Sequence, residues 1–122
     1  MAEKKKASVT FEQVRKRALA FRSARDWEQY HRPKDLAEGL AIEAAELLEN
    51  FLWKTSEESR RPTKKEMKNI REEVGDVFLF LVYFCEAFDI DIFEAAMKKI
   101  ALNEKKYPAR KVKGKAHKYT EY

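Results

Sequence analysis

Leu40-Ala-Ile-Glu43-Ala-Ala-Glu46-Leu47 and Ile70-Arg-Glu-Glu73-Val-Gly-Asp76-Val77 decide how this 122-residue chain is read. In each stretch two acids stand three residues apart, a spacing that puts both carboxylates on one side of a helix. Glu43 falls between Leu40 and Leu47 in the row meant for a core, and Glu73 falls between Ile70 and Val77. At an effective dielectric of ~20, two unit charges about 4 Å apart repel by roughly 4 kcal/mol, so converging carboxylates must take up protons or bind cations. Oxygen-only ligands suit a hard divalent ion, and magnesium in particular accepts a few carboxylates while sharing its remaining positions with water and phosphate. A lone Glu-x-x-Glu on a charged helix is usually a solvated face. Here both pairs share faces with Leu40, Leu47, Ile70, Val77 and Phe80, and both lie mid-helix, where two helices can pack side by side.

Working outward, three glycines and three prolines punctuate the sequence, and apolar periods of three to four prevail over alternation. The expected fold is all-α, a bundle of four main helices. Thr10 with Gln13 reads as a capping box for a first helix with the stripe Phe11, Val14, Ala18 and Phe21, ending near Arg25. Residues 26–34 form a connector containing Pro33. Asp35 with Glu38 is expected to cap a second helix running to about Lys54, with Leu36, Leu40, Ala44, Leu47 and Phe51 along its seam. After a polar connection over 55–62, Thr63 with Glu66 caps a third helix carrying Ile70, Val74, Val77, Phe78, Leu81, Val82 and Cys85. Its later half is apolar nearly all round, as expected where a second subunit covers it. Asp91 with Glu94 opens a fourth helix with Ala95, Met97 and Ile100, which Pro108 stops after Tyr107. The helical domain is therefore 1–108, and 109–122 is expected to be an extended, basic tail.

Composition narrows the class. A hydrophobic content of 44% supports one small core, which oligomerisation would extend. The single cysteine, Cys85, sits in an apolar run as an expected buried, inert thiol; no disulfide framework or cysteine zinc site is available, which fits a reducing cytoplasm. The longest apolar stretch, 77–85, falls far short of the ~20 residues that span a bilayer, so a soluble, unexported protein is expected. The formal net charge of +5 sits at the ends: Lys4, Lys5 and Lys6 against Glu3, and Arg110, Lys111, Lys113, Lys115 and Lys118 against Glu121. Basic tails more often solubilise or dock locally than read a duplex, so nucleic acid is not the expected partner. Ferritin-like di-iron chemistry uses Glu-x-x-His steps. The one such step, Glu28 to His31, lies in the connector outside both acid-bearing stretches, and His117 follows no glutamate at that spacing.

The two acidic steps resemble the signature of the MazG-like superfamily of all-α nucleoside triphosphate pyrophosphatases. Further segments look like its dCTP pyrophosphatase branch: Arg25-Asp26-Trp27-Glu28-Gln29-Tyr30-His31, Phe51-Leu52-Trp53-Lys54, Glu72-Glu73 ahead of Asp76, Lys106-Tyr107-Pro108-Ala109, and Lys118-Tyr119-Thr120. The resemblance implies cleavage of a deoxynucleoside triphosphate, dCTP or a related pyrimidine nucleotide, between the α and β phosphates, in a housecleaning role. It implies Mg²⁺ held by Glu43, Glu46, Glu73 and Asp76, with Glu46 or Glu49 accepting the proton of the attacking water. For base and sugar it implies Trp27, His31, Trp53 and Phe80; stacking on such faces is worth roughly 1 to 3 kcal/mol per base. Lys99 and Asn103, one helical turn apart, match positions that contact phosphate and sugar, and Arg110, Lys111 and Lys118 are candidate phosphate contacts. A homodimer or homotetramer is also implied.

Three departures stand out. The MazG pattern usually begins with paired glutamates, whereas Ile42 precedes Glu43, as in the dCTP branch. Ala18 stands where the vertebrate-like enzymes have a histidine, and Phe80 where they have a tyrosine. Both lost groups are polar, which puts selectivity for cytosine in question. Two readings compete with the enzyme: a non-catalytic basic helical module binding nucleic acid through its tail, and an interaction protein whose acids merely form salt bridges.

Overall fold

The computed structural model describes residues 7–116 and Thr120, and these contain helices and no strand. Lys118 and Tyr119, counted above among the tail contacts and motifs, lie outside the described residues. The chain divides into two compact units, Met1–Phe88 and Asp89–Tyr122.

In the first unit, α1 (Phe11–Ala24) opens on the expected capping box, in which the Thr10 hydroxyl accepts from the Gln13 N–H while Gln13 Oε1 accepts from the Thr10 N–H. It closes through a left-handed residue, Asp26 at φ 54°, with the Asp26 and Trp27 amides returning to the Ser23 and Arg22 carbonyls. That paired return is the Schellman arrangement, usually given to glycine, and it fixes the direction in which Trp27 leaves the helix. A one-turn 3-10 helix follows at Glu28–Tyr30.

Helix α2 spans Pro33–Glu49, which corrects both expected ends. Pro33, with φ already set for helix and no N–H to lose, takes the first position, leaving Asp35 in the first turn rather than at the cap. At the other end the Asn50 side chain donates to the Glu46 and Leu47 carbonyls, and Trp53 turns the chain away at φ 66°, so the helix stops short of Lys54. Helix α3 (Lys64–Ala87) opens on the expected Thr63/Glu66 box, and Lys54 pairs with the same Glu66.

Leu36 of α2, Ala18 of α1 and Tyr83 of α3 form the core, flanked by Leu19, Leu79, Phe80 and Phe84. Leu36 is 1% exposed and Val82 2%. Tyr83 donates its hydroxyl to the Ala18 carbonyl at 2.9 Å, and Arg15 grips Glu86 through two bonds of 2.9 Å, so α1 is fastened to α3 at both places. Cys85 is the expected buried thiol, and burial pushes its pKa up. Of the expected stripes, Phe21, Ala44 and Val74 are exposed, as are all three residues expected along the fourth helix, Ala95, Met97 and Ile100.

In the second unit, α4 (Ile92–Lys106) is capped by Asp91, whose carboxylate accepts from the Phe93 and Glu94 amides. Pro108 does end it, but the chain then makes another helical turn, α5 (Ala109–Val112), so the tail is not extended from its start. A proline is well suited to precede such a turn, because it constrains the backbone without needing a hydrogen-bond partner for its nitrogen. No helix among the described residues is long and apolar enough to cross a membrane.

Candidate active site

The register of α2 against α3 creates the site. A Cβ on Gly39 would lie 2.3 Å from the Phe80 ring, so these two positions are in close contact. Four residues further along α2 and four to seven back along α3, oxygens of Glu43, Asp76 and Glu73 lie within 4.8 Å of one another. The helices therefore run antiparallel, and the i, i+3 pairs meet across the seam.

Glu43 and Glu73 are half-buried, and Oε2 of each is shielded from solvent with no hydrogen-bond partner. Burial, followed by Glu46, Asp76 and Glu73, pushes the Glu43 carboxyl up to about 7. Glu73 is also raised, by burial and then by the charge of Glu46, with its contact to Glu43 acting the other way. Glu46 thus belongs to the electrostatic cluster, although the tight triad comprises only the other three. Glu49, a turn further on, is exposed. Buried carboxylate oxygens without donors, gathered from two helices, are what a hard divalent cation requires, and the absence of nitrogen or sulfur ligands fits that class.

Asp76 also borders a cavity of about 760 Å³ between α1, the connector and α3. Trp27, His31 and Phe80 line it, as three of the expected base contacts do. His31 stacks obliquely on Tyr83 at 4.8 Å between centroids, and burial, then the Arg22 charge, lowers its pKa, which favours the neutral imidazole. The guanidinium of Arg22 in turn lies 5.2 Å from the Tyr83 ring centre. Trp53 does not line this cavity; it is 99% exposed on a left-handed backbone that bulky residues rarely adopt. Lys99 and Asn103 lie on exposed positions of α4 in the second unit.

The structure also brings in residues that the sequence reading assigned elsewhere or not at all. Phe21, read as core, lines the cavity edge-on to Trp27 at 5.7 Å. Gln13, read only as a cap, and Arg17, not singled out, line it from α1. Helical spacing alone signalled them, since both sit one step from the Val14–Ala18–Phe21 row.

Residues 40–122 match the MazG-like family. Human dCTP pyrophosphatase 1 is 35% identical over 114 residues, covering 92% of this chain and 67% of the human protein, and the bovine protein of the same name is 34% identical with 68% of its length covered. A pyrophosphatase from Archaeoglobus fulgidus DSM 4304 superposes with a TM-score of 0.78 at 34% identity, over 87% of this chain and 99% of the archaeal one.

The chain belongs to the MazG-like family. All four acids fall inside the stretch that matches the MazG-like family, and the Trp27–His31 side of the cavity lies before it. Asp76 joins the acid cluster to the cavity, whose other side, Leu79, Phe80 and Tyr83, comes from the same helix as Glu73.

Proposed function

We propose that this chain is a Mg²⁺-dependent nucleoside triphosphate pyrophosphohydrolase that converts dCTP, or a related pyrimidine deoxynucleotide, to the monophosphate and pyrophosphate. The hydrolase class follows from relatives named as pyrophosphatases at about one-third identity over most of the chain. The observation that carries the reading is the pair of buried, donorless oxygens, Glu43 Oε2 and Glu73 Oε2, beside Asp76, which borders an aromatic cavity.

In this reading Glu43, Glu46, Glu73 and Asp76 hold the cation. When bound, Mg²⁺ would neutralise the triphosphate, favour charge on the departing pyrophosphate and acidify water. Water attacks the α phosphorus, the bond to the β-bridging oxygen breaks, and the water's proton passes to a carboxylate. Glu46 is the acceptor best supported, because it is half-buried and acts on both Glu43 and Glu73. Glu49 is the other carboxylate within a turn, and comparing Glu46→Gln with Glu49→Gln at saturating Mg²⁺ separates the two. Trp27, His31 and Phe80 receive the base, while Trp53, Lys99 and Asn103 contribute the remaining base, phosphate and sugar contacts that the family resemblance implies.

The chain acts as a homodimer or homotetramer in the cytoplasm. Supporting assembly, Ile42 and Leu48 on α2 and, separately, Phe93 and Met97 on α4 are each more than half exposed, and a partner subunit would cover such side chains. Incubation of the purified protein with each nucleoside triphosphate and Mg²⁺, followed by product identification, tests the reaction. Monophosphate with pyrophosphate is expected; diphosphate with orthophosphate would refute the cleavage position.

A further inference from the structure

The cavity beside the acids is mostly apolar, yet α1 gives it a polar wall of two residues, Gln13 and Arg17, one turn apart. Their hydrogen-bonding capacity is unusually one-sided. Gln13 Oε1 already accepts from the Thr10 N–H at 2.8 Å, which fixes the amide orientation, while both donors of its NH₂ group are unpaired among the described residues. Arg17 has no hydrogen bond or ion pair among the described residues, and a guanidinium offers donors only. Ala18, also on this wall, adds no side-chain group, and its carbonyl accepts from the Tyr83 hydroxyl at 2.9 Å. The α1 wall is therefore weighted toward donors.

Such a wall suits a base edge with two adjacent acceptors. Among pyrimidines, cytosine presents them as O2 and N3. Uracil and thymine place an N3–H donor between two carbonyls, which would set donor against donor. Resting on the nucleotide reading of the cavity, we propose that Arg17, assisted by Gln13, is the specificity-determining group of this chain, reading O2 and N3 of cytosine and rejecting uracil. In this way the chain selects its base although Ala18 and Phe80 have no polar side-chain group to offer.

The test compares dCTP with dUTP, which share sugar and triphosphate and differ at the base edge. Wild-type protein is expected to favour dCTP in kcat/KM. Arg17→Leu should lower the dCTP-to-dUTP ratio of kcat/KM at least about tenfold, the discrimination expected of one lost bidentate base contact. Gln13→Glu keeps the acceptor that the Thr10 N–H needs, so α1 remains capped, but it removes the amide donors and should lower the ratio by a smaller factor. Arg17 is exposed, so loss of folding is not expected, and helical circular dichroism checks this for both variants. An unchanged ratio in both variants overturns the proposal, including the case in which both substrates slow equally because Arg17 binds phosphate. A wild-type preference for dUTP overturns it as well, although the hydrolase reading survives. If the wild-type protein releases no pyrophosphate from any nucleoside triphosphate, the hydrolase reading itself falls and the base-reading role with it.

Discussion

At one end of the α2–α3 seam, Leu36 is sealed against Ala18 and Tyr83; two helical turns along α2, the same seam holds Glu43 against Glu73 and Asp76. The first end gains from burial, since a fully buried leucine side chain contributes roughly 1.5 to 3 kcal/mol relative to exposure. The second end opposes closure through desolvated and mutually repelling carboxylates. The two are coupled through rigid helices, so the apolar end can hold open-handed acids at a spacing they would not keep on their own. The contrast suggests a division of labour in which one end supplies stability and the other supplies chemistry.

The largest expected effect breaks that division if it fails. Glu73→Ala should lower Mg²⁺-dependent pyrophosphate release at least about a hundredfold, by removing a cation ligand. It should leave the melting temperature of the metal-free protein unchanged or higher, because a repelling group is lost. Leu36→Ala should do the reverse, costing about 2 to 5 kcal/mol in denaturant unfolding while turnover per folded molecule changes little. A Glu73→Ala protein with near-normal turnover would remove the cation site from this seam.

Between the two ends sits Gly39, where a methyl group would overlap the Phe80 ring. Gly39→Ala is expected to destabilise by about 1 to 3 kcal/mol through overpacking, partly offset by the better helix propensity of alanine. Since Phe80 lines the cavity, its displacement should also raise KM for the nucleotide more than it changes kcat. Combining Gly39→Ala with Phe80→Leu should recover much of the stability and leave the KM defect.

These contacts mark where the sequence was readable. Thr10 with Gln13 and Thr63 with Glu66 are local exchanges between a side chain and a nearby amide, so spacing alone reveals them. The acid pairs were readable because charge interrupts an apolar row. The ends of α2 were misplaced because Asp35 and Glu38 imitate a cap that Pro33 pre-empts, and because Asn50 and the turn at Trp53 end the helix before its apolar pattern does. The cavity required the third dimension: Gln13, Phe21 and Tyr83 come from two helices whose relative rotation no periodicity states. Trp27 and His31 entered through motif resemblance, not through any property of the connector itself.

A pH series sharpens the comparison further, because its sign differs between the two ends. Glu43 has a folded pKa of about 7 against an ordinary 4.5, so the folded state holds a proton that the unfolded chain has released. The metal-free protein should therefore lose stability as pH rises from about 4.5 to 7. Mg²⁺ competes with that proton, so the rise in melting temperature on adding it should grow over the same range. His31, beside Tyr83, is depressed by burial and Arg22, so its contribution is present above pH 6.5 and is lost as pH falls through the folded value. His31→Gln should remove that acid-side loss and leave the Glu43 dependence, which thermal melts at pH 5 to 8 with and without Mg²⁺ would resolve.

The smallest expected effect concerns the other glycine of the seam helices. Gly75 lies between Val74 and Asp76 inside α3, and a Cβ there would meet nothing within 4 Å. Gly75→Ala therefore adds no clash within the subunit and removes backbone freedom from the unfolded chain, a gain of about 0.5 to 1 kcal/mol in a helix interior. Measured by denaturant unfolding without Mg²⁺, that gain should appear in full, in contrast to the loss at Gly39. With Mg²⁺ and nucleotide, turnover should stay within about twofold, because stiffening a helix that already holds Glu73 and Asp76 in position changes neither ligand. A destabilised Gly75→Ala protein would mean that another surface packs closely against α3 at this point, and dilution-dependent melting would then identify it as a second subunit.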